Sequence, residues 1–330
     1  MKALVTGANG FVGTHLVETL LQRGHGVRAL VRKTSDLTHL PKEGVELVYG
    51  DVTDASSLPS AMAGVDVVYH VAGITKARSL AEFMRINHDG TVNVMSAAAD
   101  MQKPPKVVFV SSIAAAGPCG ADRALQEGDA CKPVSRYGTS KALAEEKVRE
   151  YAAKVPVTIV RPPIVYGPRD RDVFELFKMA AGGLVVQAGF AARRFSVVHV
   201  HDLAIGLALV GERGATLSNE DPGRGIYYIA DDGPFLWREL GEAAAAGFGK
   251  RARTIRVPDL VTFIAAYIGE VIGWLRRKPF VVNLDKAREG TAGNWFCSSA
   301  RVRELGFTVA KPLDERFRET AVWYRENGWI

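Results

Sequence analysis

Short runs of β-favouring residues alternate with helical patterns through the first half of this 330-residue chain. Between the first two runs, Val12, Leu16 and Leu20 keep the four-residue spacing of one apolar helix face. Strands that alternate with helices form right-handed crossovers around a parallel sheet. The sequence therefore predicts an α/β fold built on a doubly wound parallel sheet. The strand-forming runs are residues 3–5, 27–31, 45–48, 67–71, 107–110 and 157–160.

A glycine-rich turn, Thr6-Gly7-Ala8-Asn9-Gly10-Phe11-Val12-Gly13, joins the first predicted strand to the first helix. Unpaired N–H groups and the positive end of a helix dipole bind phosphate at such a junction, and glycines permit a close approach. A glycine motif also occurs at ordinary strand-to-helix turns, but its place at the first junction favours a dinucleotide site. We therefore expect a Rossmann domain whose turn contacts NAD(P) through Gly7, Asn9, Gly10, Phe11, Val12 and Gly13.

The residues after the second run bear on the choice between NAD and NADP. An NAD-specific site usually carries an acid here for the ribose 2′-hydroxyl, whereas this chain continues Val31-Arg32-Lys33. Arg32, with Lys33 as a second candidate, would hold a 2′-phosphate by charge-assisted hydrogen bonds. NADP is therefore our first choice of cofactor and NAD the second. The alternative, that Arg32 is a solvated residue at a strand end, stays open.

A tyrosine and a lysine stand four residues apart at Tyr137 and Lys141, so a helix through them places phenol and ammonium on one face. A neighbouring cation lowers a pKa by about 1–3 units, and we expect Lys141 to act in this way on Tyr137. Such pairs are common on ordinary helices. Here, however, the apolar run 107–110 ends in Ser111-Ser112, at the sheet edge where open α/β folds bind ligands. We therefore predict Ser112, Tyr137 and Lys141 as the catalytic set.

Seven ordered motifs resemble the extended short-chain dehydrogenase/reductase family, which contains sugar-nucleotide epimerases, 3β-hydroxysteroid dehydrogenases and dihydroflavonol reductases. The resemblance covers nearly the whole chain. The motifs are Thr6-Gly7-x-x-Gly10-x-x-Gly13, Gly50-Asp51-Val52, His70-Val71-Ala72-Gly73, Asn87 in Ile86-Asn87-His88-Asp89-Gly90-Thr91, Ser111-Ser112, Tyr137-x-x-x-Lys141, and Arg161-Pro162-Pro163-Ile164-Val165-Tyr166-Gly167-Pro168.

This resemblance implies roles for individual residues. Lys141 would bond the nicotinamide ribose, and Ser112, by its distance before Tyr137, is preferred to Ser111 as the catalytic hydroxyl. We expect Asn87 to satisfy backbone groups as a structural residue. A dimer is implied by the resemblance alone. Further residues would contact the cofactor from the adenine to the nicotinamide: Asp51, Val52, Ala72, Gly73, Pro162 and Ile164.

The regular alternation fades after Pro162-Pro163, where turns and isolated helical stretches take over. We predict an NAD(P)-binding Rossmann domain over residues 1–165, rejoined by about residues 196–212. Residues 166–195 and 213–330 would form a smaller, mixed α/β C-terminal domain that caps the first one and binds the substrate.

Composition and charge argue against several classes of function. The 42 basic and 36 acidic residues are spread along the chain, without the basic block that follows a nucleic-acid backbone. The three cysteines lack the paired spacing of zinc sites, so we expect no metal and a reducing cytoplasm. The given sequence opens directly on the first predicted strand, so we expect no signal peptide, and polar residues interrupt the longest apolar stretch. We expect a cytoplasmic protein with a small-molecule substrate, no nucleic-acid partner and no membrane-spanning segment.

The class of substrate is less constrained. Ile113-Ala114 follow Ser112 where the related sugar-nucleotide dehydratases have an acidic pair, so dehydration is disfavoured. An epimerase would need cationic contacts for a nucleotide diphosphate, and arginines are common enough that their presence is not decisive. The candidates are Arg169, Arg171, Arg193 and Arg194.

An apolar stripe at three- and four-residue spacing runs through residues 257–275. It would pack in the cap or on a partner subunit, border a lipophilic pocket, or lie in a membrane surface with the basic residues 276–278 beside it. Trp295-Phe296-Cys297 loosely resembles the steroid-dehydrogenase and flavonol-reductase branch. The stripe comprises Leu260, Phe263, Ile264, Tyr267, Ile268, Val271, Ile272 and Leu275.

These observations favour an NAD(P)-dependent oxidoreductase that interconverts an alcohol and a carbonyl on an apolar or ring-bearing small molecule, with Tyr137 as general acid/base. Two alternatives stay open. One is a nucleotide-sugar epimerase with tightly bound NAD, and the other is a non-catalytic NAD(P)-binding regulator.

Overall fold

The computed structural model describes residues 1–276, 280 and 282–330. Arg277 and Lys278, which belong to the basic flank predicted after the apolar stripe, lie outside these residues. The strands of the described part are β1 (Lys2–Thr6), β2 (Gly26–Val31), β3 (Val45–Tyr49), β4 (Val67–His70), β5 (Lys106–Val110), β6 (Val157–Val160), β7 (Ile164–Tyr166), β8 (Leu184–Ala188), β9 (Arg194–Phe195), β10 (Val197–His199), β11 (Ile226–Tyr227), β12 (Phe235–Leu236) and β13 (Arg253–Val257).

Helices connect these strands and dominate the last third of the chain. A 3₁₀ turn (Ala55–Ser57) and a π-helical segment (Met84–Asp89) accompany the α-helices. The α-helices are α1 (Phe11–Gln22), α2 (Leu58–Met62), α3 (Leu80–Phe83), α4 (Gly90–Ala99), α5 (Ile113–Ala116), α6 (Arg136–Glu150), α7 (Phe174–Ala181), α8 (Val200–Arg213), α9 (Trp237–Gly247), α10 (Asp259–Leu275), α11 (Leu284–Thr291), α12 (Ala300–Glu304) and α13 (Leu313–Glu326).

The central sheet has the order β11-β6-β5-β4-β1-β2-β3, and all its pairings are parallel. The strand order reverses between β1 and β4, which creates the switch point where doubly wound sheets bind ligands. The predicted Rossmann sheet is therefore confirmed. The strand β11 comes from the stretch predicted as cap, because a two-residue strand leaves no periodic signal in the sequence.

Helices cover both faces of this sheet. On one face, α1 and α8 pack over the strands through Leu16, Leu20 and Leu203. On the other, α2, α4 and α6 contribute residues such as Met62 and Val94. Because helices cover both faces of the sheet, the side chains on both faces of each strand are buried. The strand sequences are therefore continuous apolar runs with little alternation.

A third apolar core joins α7, α9 and α13 and forms the cap. Phe177 stacks on Phe317 with ring centroids 5.2 Å apart and meets Tyr324 edge-on. The helix α8 packs on α1, and β11 pairs with β6, so segments beyond residue 165 also complete the first layer. The exact domain bounds stay a prediction. None of the described helices is both long and apolar enough to cross a membrane.

Arg161 and Glu145 form an ion pair that is almost entirely shielded from water, each side chain being 1% exposed. Arg161 Nε donates to Glu145 Oε1 at 2.9 Å, and Nη2 donates to Oε2 at 2.6 Å. Burial alone would raise the pKa of Glu145, but the guanidinium of Arg161 holds it below its ordinary value. The pair joins α6 to the residue that follows β6, and it therefore fixes that helix against the sheet edge.

We expect Glu145→Gln to lower the free energy of unfolding by about 3–5 kcal/mol, because it leaves a buried guanidinium without its counter-ion. Urea denaturation measures this change. The control is Lys147→Ala on the same helix, where the pair with Glu150 is 43% and 59% exposed. That substitution should cost less than about 1 kcal/mol. Similar small effects of both substitutions would contradict the assigned role of the buried pair.

Candidate functional site

A cavity of about 1480 Å³ lies where the carboxyl ends of β1, β2, β4, β5 and β6 face the cap. Apart from Lys33, every residue that the sequence predicts to bind cofactor or act in catalysis lines it. This convergence is geometric, and the individual roles stay predictions. The lining set includes Gly7, Asn9, Gly10, Phe11, Val12, Gly13, Arg32, Asp51, Val52, Ala72, Gly73, Ser112, Tyr137, Lys141, Pro162 and Ile164.

The glycine turn leaves an open space on the cavity wall, which the side chains of larger residues would occupy. Gly7 has φ +68°, and a Cβ on it would lie 2.8 Å from Ala72 Cα. A Cβ on Gly13 would lie 2.1 Å from the Gly7 carbonyl oxygen. Gly10 precedes the first turn of α1 in an extended conformation and offers no side-chain cap. The first N–H groups of α1 therefore stay available to an anion at the cavity wall, which fits a dinucleotide pyrophosphate.

The adenine-ribose end of the cavity combines charged and hydroxyl groups. Arg32 is exposed and lines the wall, whereas Lys33 is exposed without lining it. Ser35 and His39 also line it, and sequence reasoning did not find them because they lie on an irregular loop. Asp36 is an acid on the same wall, but its carboxylate accepts bonds from the Thr38 hydroxyl and N–H. Arg32 and Asp36 are both exposed on this wall, and Oδ2 of Asp36 takes part in neither of these bonds.

The predicted catalytic residues meet where β5 ends. The Ser112 hydroxyl caps α5 by accepting a bond from the Ala114 N–H at 3.1 Å. Tyr137 and Lys141 both lie on α6, as the spacing predicts, and Lys141 Nζ donates to the Val110 carbonyl at 2.9 Å. Gly138 lets α5 and α6 approach closely, since a Cβ there would lie 2.4 Å from the Ala114 carbonyl oxygen.

The expected lowering of the tyrosine pKa is wrong for this structure. Burial raises the pKa of Tyr137 to about 12, although the hydroxyl of Ser112 and the charge of Lys286 act to lower it. Burial also lowers the pKa of Lys141 to about 8. The sequence shows the spacing of these groups but not their distance from water, and loss of water disfavours the charged form of each.

Two other predicted motif residues support the wall without facing a reactant. Asn87 is buried and holds the loop after Gly73, because its Oδ1 accepts from the Ile74 N–H at 2.8 Å and its Nδ2 donates to the Ile74 carbonyl at 3.0 Å. His70 is buried in β4 between the hydroxyls of Thr6 and Thr91, at 2.8 and 3.0 Å. These contacts are consistent with the structural role predicted for Asn87 and with a similar role for His70, and both roles stay predictions.

The cap supplies a largely apolar wall of the cavity. The sequence analysis predicted a substrate-binding cap but identified only some of the residues that form this wall. Its aromatic members come from distant places in the chain, so no local pattern links them to the site. The apolar wall includes Leu176, Met179, Val186, Phe195, Trp237, Val261, Ala266 and Trp295.

The arginines considered for a diphosphate are mostly engaged by the protein. Arg169 contacts Glu18 at 2.9 Å, and Arg193 Nη1 donates to the Ala188 carbonyl at 2.7 Å. Arg171 lines the cavity and lies over the ring of Trp329. Arg194 does not line the cavity. This arrangement weakens the case for a diphosphate site.

Within the part of the chain that the structure describes, one group of potential metal ligands comes together that the sequence spacing did not indicate. His15, Glu18 and His201 place their ligand atoms within 4.8 Å of one another, although they come from α1 and α8. Glu18 is already paired with Arg169, and His15 Nε2 lies 3.0 Å from the carbonyl oxygen of Pro168. These contacts already engage Glu18 and His15, so we interpret the three residues as a structural cluster and propose no metal there.

Comparison with known proteins adds information that the geometry lacks. The model of the NAD dependent epimerase/dehydratase family matches residues 3–227. The ceramide reductase of Caulobacter vibrioides is 34% identical over 99% of this chain and 95% of its own length. The sterol demethylase protein B of Methylococcus capsulatus is 37% identical, with complete coverage of both chains. An N-acetyl-alpha-D-glucosaminyl-diphospho-ditrans,octacis-undecaprenol 4-epimerase of Escherichia coli O157:H7 is 26% identical over 97% of this chain and 94% of its own.

Solved structures are similar over the full chain as well. The crystal structure of gox2253 has a TM-score of 0.80 at 26% identity and covers 99% of both chains. The complex of MoeE5 with UDP-glucose and NAD has a TM-score of 0.75 at 25% identity, again with 99% of both chains covered.

We expect Gly13→Ala to weaken NAD(P)H binding by at least about tenfold, because the new Cβ displaces the turn that presents the N–H groups. The control is Gly26→Ala, since a Cβ on Gly26 meets no atom within 4 Å. Cofactor titration, with a thermal melt of each variant to confirm folding, measures the effect. Unchanged affinity in a folded Gly13→Ala protein would contradict the assignment of the turn.

Proposed function

This chain belongs to the NAD dependent epimerase/dehydratase family, an enzyme family of reductases, dehydrogenases and epimerases, and we propose that it interconverts an alcohol and a carbonyl group on an apolar or ring-bearing small molecule. The observation that carries the proposal is that Ser112, Tyr137 and Lys141 share one cavity with an apolar cap wall. Family membership also argues against the alternative of a non-catalytic regulator.

The cofactor, when bound, supplies or accepts the hydride. Gly7, Gly10 and Gly13 leave room for it, and the first N–H groups of α1 face its phosphates. Lys141 and the Gly73 backbone lie on the wall beyond the turn, where the nicotinamide ribose would be held. Pro162 and Ile164 complete that wall.

The proton chemistry is assigned to Tyr137. With a pKa raised to about 12, its phenol is protonated at neutral pH and can donate to a carbonyl oxygen. The Ser112 hydroxyl, beside it at the end of β5, would hold the same oxygen.

The apolar substrate class is supported by two independent observations. The cap wall presents aliphatic side chains and the aromatic side chains of Trp237 and Trp295, which favour an apolar or ring-bearing molecule. The names of two relatives, ceramide reductase and sterol demethylase protein B, also refer to lipids.

Nucleotide-sugar epimerisation remains the second candidate. It is supported by Arg171 on the cavity wall and by the 4-epimerase among the relatives. The two functions differ in the fate of the cofactor. A reductase consumes NADPH in proportion to product, whereas an epimerase retains NAD and shows no net consumption.

We expect Tyr137→Phe to lower turnover by about 10²–10⁴-fold, because the phenol proton is lost. The assay follows NADPH absorbance with a set of steroid and long-chain ketones, and cofactor affinity should stay nearly unchanged. Tyr49→Phe is the control, since Tyr49 is exposed and does not line the cavity. Turnover within a few fold of wild type would reject Tyr137 as the acid. Interconversion of nucleotide sugars without net NADPH loss would instead establish the epimerase.

For the cofactor, we propose NADP as the first choice and NAD as the second. Arg32→Ala should weaken NADPH by at least about tenfold, since a charge-assisted bond to the 2′-phosphate is removed, and should leave NADH unchanged. Lys33→Ala is the matched control, because it removes an adjacent charge that does not line the cavity. Equal effects of Arg32→Ala on the two cofactors would refute the assignment.

A further inference from the structure

The helix α10 buries its small residues and exposes its large apolar ones. Ala266, Gly269 and Gly273 are the buried residues of this helix. Most of the stripe predicted from the sequence is therefore exposed, and only Phe263 and Ile272 of its members are half-buried. We call the outward set the apolar face of α10. With the exposed fraction of each side chain, it consists of Leu260 (72%), Ile264 (52%), Tyr267 (62%), Ile268 (53%), Val271 (41%), Trp274 (75%) and Leu275 (67%).

This apolar face continues into the mouth of the cavity. Val261, on the same helix, is 49% exposed and also lines the cavity. Across the mouth, Val186 of β8 is 39% exposed and lines the cavity as well. Ile255 of β13 is paired with Val186 in the two-stranded sheet and is also exposed. Exposed apolar side chains of α10 and β8 therefore belong both to the outer surface and to the wall of the cavity.

The charges around this surface are predominantly basic. The acidic residues of α10 are matched by arginines: Glu270 contacts Arg136 at 2.5 Å, and Asp259 lies 3.9 Å from Arg193. Exposed arginines for which the described residues provide no acidic partner precede and follow the helix. They are Arg251 and Arg253 before it and Arg276 after it.

We propose that the apolar face of α10 docks on an anionic lipid bilayer, with the helix lying in the plane of the interface and the cavity mouth turned to the lipid. Apolar side chains would bury in the acyl boundary, the arginines would meet anionic headgroups, and Tyr267 and Trp274 would sit at the level those groups prefer. The use of this mouth by a lipid substrate rests on the function proposed above, whereas docking itself does not.

The same features disfavour a second copy of this chain as the occupant. Two copies related by a twofold axis through α10 would bring their arginine flanks towards each other, and like charges oppose that contact. Such a dimer would also cover the mouth bordered by Val186 and Val261.

The test measures sedimentation of the purified full-length protein with vesicles of phosphatidylcholine alone or mixed with phosphatidylglycerol. We expect binding to the mixed vesicles that decreases with added salt. Ile264→Gln with Trp274→Gln should weaken it by at least about tenfold, because two large side chains no longer bury in lipid. The control is Leu47→Gln with Tyr49→Gln, which removes two exposed apolar residues from β3.

Several outcomes would overturn the proposal. They are absence of wild-type binding to the mixed vesicles, equal binding by both double variants, and a solution dimer that the α10 variant dissociates while neither protein binds vesicles. The last outcome would identify a subunit interface. The assay needs neither substrate nor cofactor, so loss of turnover in the Tyr137→Phe experiment and failure of vesicle binding are separate results.

Discussion

The buried pair of Glu145 and Arg161 is the interaction on which the candidate site depends most. Glu145 lies one turn after Lys141 and two turns after Tyr137 on α6, and Arg161 directly precedes Pro162. The pair therefore couples the helix that carries Tyr137 and Lys141 to the end of β6, which leads into Pro162 on the cavity wall. In a low-dielectric interior, neither charge is stable without the other. A shift of α6 relative to β6 is correspondingly costly, which keeps this corner of the cavity rigid.

The two halves of the cavity are built in different ways. On the sheet side the wall is formed by backbone, because the glycines at 7, 10 and 13 leave N–H groups and space where side chains would stand. On the cap side it is formed by side chains that come from separate helices and short strands. Substitution in the cap changes the shape of the substrate pocket while leaving the phosphate cradle intact. This division is consistent with relatives that share a cofactor domain and bear the names of different reactions.

Much of the first domain could be predicted from sequence, because strands buried on both faces leave strong local signals. The same local reasoning found the glycine turn and the spacing of Tyr137 and Lys141. Local sequence reasoning failed for properties that depend on the tertiary surroundings of a residue. The pKa of Tyr137 follows from burial that no spacing reveals, and Trp237 and Trp295 reach the cavity from remote segments. The stripe on α10 has the periodicity of a core helix, yet the helix packs through its small residues instead.

The strand β11 has a consequence for how the chain acquires its structure. It supplies the edge of the central sheet beside β6, and its residues, Ile226 and Tyr227, follow most of the chain that builds the first layer. A nascent chain that ends before this point exposes the backbone groups of β6 as an open edge, a template for non-native pairing. The cofactor domain therefore completes itself only after part of the cap has been synthesised, and the two cannot be separated at a single cut between them.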